Sequence, residues 1–234
     1  MPTSISFSPR SSRRRRGRHR LLRCAASALA IGGLLATTGY APPADACGRA
    51  IELEVEPATV LLSRAQKHLD RGEYLAAARK ADESDDSPDL TWGQTWWRSR
   101  ILATATIRSG GQVQPTIRWG RTTVTDVSAQ QGNLKQAVAT LKRMTRSKKH
   151  GDDPRLLSVL GEGLAQIPGR RAEALKVLTR LAEDDLITDA RTYGALAELM
   201  SAEGQSEQAA LARRQCEAMA SDKATCRFVV AGVM

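Results

Sequence analysis

Leu69-Asp70-Arg71-Gly72-Glu73-Tyr74-Leu75-Ala76-Ala77-Ala78 is the stretch from which the fold is read: a helical apolar stripe runs up to a glycine, and five residues later an alanine opens a second stripe. The same phrase recurs as Gly132 with Ala137, Gly169 with Ala174 and Gly204 with Ala209. In a chain this rich in alanine the phrase alone carries little, and its weight comes from the stripes on either side. Glycine accepts the left-handed backbone that closes a helix C-terminus, so each phrase reads as the inner corner of a helical hairpin.

The stripes follow the helical period. Val60, Leu61, Ala65 and Leu69 lead into Gly72; Leu75, Ala77, Ala78 and Ala81 follow it, until Ser84-Asp85-Asp86-Ser87-Pro88 stops the pattern. Trp92, Trp96, Trp97, Ile101, Leu102 and Ala105 begin a second hairpin that halts at Gly110-Gly111, and its partner helix is expected to resume only at Leu134. Residues 112–131 therefore read as an insertion, with Pro115, Trp119, Gly120 and the β-prone Thr122-Thr123-Val124-Thr125. Loops of that length inside compact domains are functional or disordered. Ala137, Val138, Leu141 and Met144 continue the second hairpin, and Asp152-Asp153-Pro154 supplies an N-cap and a first-turn proline for the third. The third uses Leu156, Leu157, Leu160 and Leu164, then Ala174, Leu175, Leu178 and Leu181; the fourth uses Tyr193, Leu196, Ala197 and Met200, then Ala209, Ala212, Cys216 and Met219. Phe228-Val229-Val230 is expected to return and cover the open end.

Residues 1–46 read as a targeting segment. Residues 10–23 hold eight arginines and no acid, residues 24–38 are an uncharged apolar run interrupted by Gly32-Gly33, and Ala44-Asp45-Ala46 offers a cleavage site. That order is a secretory signal peptide, and the run is short for a membrane span of about 20 residues. An uncleaved anchor is the alternative. Cleavage also changes the charge argument: the segment holds 8 of the 35 basic and 1 of the 25 acidic residues, so the remainder carries 27 against 24. The net charge of +10 thus belongs mostly to the targeting segment and is no nucleic-acid footprint. The expected location is the periplasm or the extracellular space, with membrane association only through an uncleaved signal or a lipid. Cys47 raises the second possibility, because Ala46-Cys47-Gly48 looks like the end of a lipobox, although Ala44-Asp45 departs from its usual residues. In an oxidising compartment Cys216 and Cys226 are the natural disulfide pair. Residues 47–57 alternate apolar and acidic side chains and read as an extended linker, and residues 221–234 as a C-terminal tail.

Catalytic chemistry finds no constellation. Neither His68 nor His150 pairs with cysteine or acid at metal-ligand spacing, and both read as surface or packing residues. The acidic pairs Asp85-Asp86, Asp152-Asp153 and Asp184-Asp185 fall at hairpin boundaries, where capping wants them. Gly161-Glu162-Gly163 lacks the remaining features of a dinucleotide fingerprint, and the basic cluster around Lys142, Arg143, Arg146, Lys148 and Lys149 suits a solvated helix end. No enzyme, cofactor or metal is expected.

The corner glycines Gly72, Gly110, Gly169 and Gly204 are spaced by 38, 59 and 35 residues. Without the insertion, each interval is close to the roughly 34-residue period of tetratricopeptide repeats. Ala65, Ala103, Gly161 and Ala197 stand where that family puts a small residue before its corner, and alanine stands five after Gly72, Gly169 and Gly204 and, past the insertion, five after Gly132. The chain resembles a tetratricopeptide-like, all-α array of about four helix-turn-helix repeats over residues 58–220. It departs from the family at Leu61 and Tyr193, where a larger aromatic is usual. The resemblance implies a right-handed superhelix whose first helices line a concave face. It points to Leu62, Gln66, Leu69, Trp97, Arg100, Thr104, Arg155, Ser158, Glu162, Arg191 and Glu198 as facing a partner there. Gln66, Trp97, Arg100, Thr104, Arg155, Glu162, Arg191 and Glu198 are the binding residues it nominates. The lysine and asparagine clamp of some relatives is not reproduced. The implied function is an exported, non-catalytic scaffold for a protein or peptide, with a lipoprotein anchored at Cys47 as the alternative.

Overall fold

A computed structural model of the chain describes residues 56–87, 90–114, 127–147 and 151–228, all within the compact unit Glu52–Met234. The expected signal peptide, Cys47, the linker up to Val55, Trp119 with the rest of 115–126, Pro88, residues 148–150 and Val229-Val230 lie outside the described residues.

The described residues are all-α: α1 (Ala58–Asp70), α2 (Tyr74–Glu83), α3 (Trp92–Arg108), α4 (Val127–Thr145), α5 (Pro154–Ala165), α6 (Arg171–Glu183), α7 (Ala190–Ala202) and α8 (Ser206–Met219), with short 3₁₀ turns at Ser84–Asp86 and Lys223–Cys226. Each helix packs on the next in sequence. In addition α1 touches α3, α3 touches α5 and α5 touches α7, whereas α2, α4, α6 and α8 form no comparable row among the described residues. The odd-numbered helices are therefore one continuous layer.

The corners follow from capping chemistry. At the end of α1, Gly72 takes φ +77°, and the Gly72 and Glu73 amides donate to the Leu69 and His68 carbonyls, so the carbonyls left open by the last turn are satisfied. Gly110 with Gly111 closes α3, and Gly204 closes α7, in the same way. Gly169 instead follows Pro168 in a turn closed by the Arg170 amide on the Ile167 carbonyl. Side chains cap the starts of α3 and α5. Thr91 and Gln94 form a reciprocal capping box on α3, and Asp153, just before Pro154, accepts from the Arg155 amide.

Two expectations need correction. Gly132 is not a corner, because α4 begins at Val127 and carries Gly132 in its interior; the connection from α3 is correspondingly shorter than residues 112–131. The early start is held by tertiary contacts: Asn133 is buried and its Nδ2 donates to the Gly111 carbonyl at 2.9 Å, docking the opening turns of α4 on the corner of α3. Second, Asp184-Asp185 does not cap a following helix. Asp185 takes the left-handed conformation (φ 53°) that ends α6, and Asp189 caps α7 by accepting from the Arg191 amide.

Packing explains the small residues. Ala65, Ala77, Ala137, Ala174 and Ala197 are all essentially inaccessible, and a Cβ added at Gly161 would lie 2.2 Å from Leu178 Cδ2, so α5 and α6 meet at glycine. Helix α3 divides the interior. Ile101, Leu102 and Ala105 join a core with α1 and α2, while Ala103 and Ile107 join a larger core with α4 through α8. The adjacent tryptophans divide with it, Trp97 packing against the first core and Trp96 against the second. At the C-terminus Cys216 and Cys226 form a disulfide, and Phe228 is buried against the larger core. The tail is thereby fixed on α7 and α8.

Candidate functional site

A cavity of about 500 Å³ lies on the layer of odd-numbered helices. From α1 it takes Gln66, Leu69 and Asp70; from α3, Trp97, Arg100, Thr104 and Arg108; from α5, Arg155, Leu156, Ser158 and Val159; and from the segment before α7, Thr188 and Asp189. The helical period explains the α3 contribution, since residues 97, 100, 104 and 108 recur at three- and four-residue steps on one face. Leu69, Leu156 and Val159 are buried and give the wall its apolar part.

Polar contacts fix several lining side chains. Gln66 Nε2 donates to Asp70 at 2.8 Å, while Gln66 Oε1 accepts from both Trp97 Nε1 and Arg100 Nη2 at 3.4 Å. Arg100 also lies over the Trp96 ring, 5.7 Å from its centroid. The Thr104 hydroxyl donates to the Arg100 carbonyl of its own helix at 2.8 Å. Burial lowers the Arg100 pKa from its ordinary value; Asp153 opposes this and the neighbouring Arg155 reinforces it.

Beside the cavity runs a polar layer. Glu162 on α5 is fully buried and accepts from Arg108 Nε at 3.2 Å, Arg108 Nη2 at 3.1 Å and the Thr192 hydroxyl at 2.8 Å. Arg108 also donates to Asp189 at 2.6 Å. Burial works against the Arg108 charge, but Glu162 and Asp189 outweigh it and hold its pKa above the ordinary value. Arg191 reaches across from α7, donating to the Arg108 carbonyl at 3.0 Å and the Tyr74 hydroxyl at 3.2 Å, and its guanidinium lies 5.8 Å from the Phe228 ring centroid. The layer ties α3, α5 and α7 together.

Of the nominated residues, Gln66, Trp97, Arg100, Thr104 and Arg155 come together around the cavity. Glu162 does not: it is at zero exposure and its carboxylate is spent on Arg108 and Thr192. Arg191 belongs to the same structural layer, and Glu198 accepts from Arg213 of α8 at 2.7 Å. Leu62 is fully buried in the smaller core. Sequence reasoning missed Asp70, Arg108, Thr188 and Asp189. Arg108 was within reach, because it extends the same α3 face by one more turn. His68 pairs with Glu73 at the α1 corner, an acid contact that its spacing did not suggest.

Among the described residues no three histidine, cysteine, aspartate or glutamate side chains converge to hold a metal, and no helix is long and apolar enough to cross a membrane. No protein-family model, curated protein or solved structure matches the chain.

Proposed function

We propose that this chain is an exported, non-catalytic scaffold, a tetratricopeptide-like array that binds a protein or peptide partner on the face formed by α1, α3, α5 and the start of α7. One observation carries the reading: five residues contributed by three separate helices, Gln66, Trp97, Arg100, Thr104 and Arg155, surround a single cavity that mixes apolar wall, an indole and guanidinium groups. Aromatic and arginine side chains in a partly desolvated recess are the groups that dominate binding energy at interfaces. The contact series α1–α3–α5–α7, without an equivalent series among the even helices, supports an inner and an outer row of the kind a curved repeat array has. Signal-peptide cleavage after Ala46 would place the domain in the periplasm or outside the cell.

The test is photo-crosslinking from an unnatural residue at exposed Thr188, in cells that express the chain natively, followed by affinity measurement with the captured partner. Trp97→Ala and Arg100→Ala are each expected to weaken that partner ten-fold or more. Unchanged affinity in both variants overturns the assignment of the face. Mass analysis of the mature N-terminus tests export separately, with a start at Cys47 expected.

A further inference from the structure

The cavity carries positive charge that Asp70 and Asp153 offset only from a distance, without a direct ion pair. Arg108 is committed to Glu162 and Asp189. Arg100 and Arg155 are different: among the described residues neither has a carboxylate within 4.0 Å. Arg100 is half-buried and its side-chain hydrogen bond goes to neutral Gln66, while the Arg155 guanidinium has no hydrogen-bond partner among the described residues. The two cations are close enough to repel, and burial adds to the cost of holding Arg100 charged. Ser158, on α5 in the same wall, is 4% exposed, and its buried hydroxyl has no hydrogen-bond partner among the described residues. A buried hydroxyl without a partner and a partly desolvated cation without an ion pair are both served by an anion.

The anion is a discrete one. Asp70 and Asp189 stand in the same wall, so a strand of closely spaced phosphates would set charge against charge, whereas one carboxylate between the arginines would not. Leu69, Leu156 and Val159 offer apolar surface beside it. We propose that this cavity receives an aspartate or glutamate side chain of an extended partner segment, its carboxylate bound between Arg100 and Arg155 with Ser158 as a further donor and Trp97 against a neighbouring apolar side chain. The proposal rests on the peptide-binding reading above and names the chemistry of the peptide.

The test uses the mature chain and five probes: an N-acetylated, C-amidated peptide of alternating leucine and glutamate, its leucine–glutamine and leucine–lysine counterparts, a thymidine oligonucleotide, and free acetate. Fluorescence anisotropy is expected to show the glutamate peptide binding at least ten-fold tighter than the glutamine peptide, with an advantage that shrinks as salt rises. Arg155→Gln and Arg100→Gln are each expected to remove about ten-fold of that preference, read in each variant as the ratio of its affinities for the two peptides. Arg155→Glu should reverse the preference toward a leucine–lysine peptide, and helical circular dichroism establishes that each variant folds. Equal binding of the glutamate and glutamine peptides overturns the anion inference but leaves the peptide-binding face standing. Binding of neither peptide, tighter binding of the oligonucleotide, or displacement of the peptide by acetate at equal concentration also overturns it. The peptide-binding face is judged apart from these, by the crosslinked partner.

Discussion

Glu162→Ala is the substitution from which the packing of the odd-numbered helices can be learned. The carboxylate has zero exposure and accepts three hydrogen bonds, two from Arg108 and one from Thr192. Breaking one side of a buried ion pair costs about 3–5 kcal/mol, because the remaining charge stays out of water. Here Asp189, 2.6 Å from Arg108, still compensates part of that charge, which places the expected loss near the lower end, about 3 kcal/mol. For a unit the length of Glu52–Met234 this corresponds to a melting temperature lower by roughly 6–12 °C. Arg108→Met should cost about the same, because Glu162 has no exposure with which to recover hydration but keeps Arg191 at 3.9 Å and the Thr192 hydroxyl at 2.8 Å. The double variant Glu162→Leu/Arg108→Met should regain most of the loss, because an apolar pair of similar volume removes both desolvation costs. Urea unfolding of the parent, Glu162→Leu, Arg108→Met and the double variant closes the cycle and gives the coupling energy directly. A Glu162→Ala loss below about 1 kcal/mol, or a double variant as unstable as the sum of the two single ones, refutes the account of the layer as a coupled buried pair.

Three further outcomes are expected. Gly132→Ala, in the interior of α4 with nothing within 4 Å of the added Cβ, should raise stability by up to about 1 kcal/mol, whereas Gly161→Ala drives its Cβ to 2.2 Å from Leu178 and should lower it by about 1–3 kcal/mol; thermal melts of the two variants give the opposite signs. Reducing the Cys216–Cys226 bridge, which spans 10 residues of sequence, should cost about 3 kcal/mol on the chain-entropy account, measured as the drop in urea midpoint on adding dithiothreitol and absent in a Cys216→Ala/Cys226→Ala chain. Burial, assisted by Asp185, holds the Tyr193 phenol above its ordinary value, so the folded chain keeps that proton longer than the unfolded one. That contribution is fully present below about pH 10 and is lost as pH rises through the folded value. Stability followed from pH 9 to 11 should therefore fall less steeply in Tyr193→Phe than in the parent chain.

Much of the fold was legible because it follows from local rules. The stripes around Leu69, Leu160, Leu178 and Leu196 mark helices by period alone, and Gly72, Gly110, Gly169 and Gly204 mark corners because their backbone must turn left-handed there. Asp153 with Pro154 and the pairing of Cys216 with Cys226 were equally local. The misread corner shows where such rules stop. Gly132 carries the same signature as the others, yet Asn133 bonded to the Gly111 carbonyl holds the chain around it as helix, and nothing in the local sequence encodes that partner.

The candidate site divides along the same boundary. The helical period of 3.6 residues set which side chains of one helix share a face, and the resemblance to a tetratricopeptide-like array implied which faces of α1, α3 and α5 stand together, so that Gln66, Trp97, Arg100, Thr104 and Arg155 could be named as a set. Only the tertiary structure decided which of those faces open to a cavity and which are sealed. Glu162 stands at the same step on α5 as residues that line the cavity, but Arg108 and Thr192 arrive from neighbouring helices and close over it. Among the described residues Arg100 and Arg155 meet no carboxylate within 4.0 Å. The helical period is a property of one segment of chain, whereas the satisfaction of a buried charge depends on groups 54 or 81 residues away, and those meet only when the helices pack.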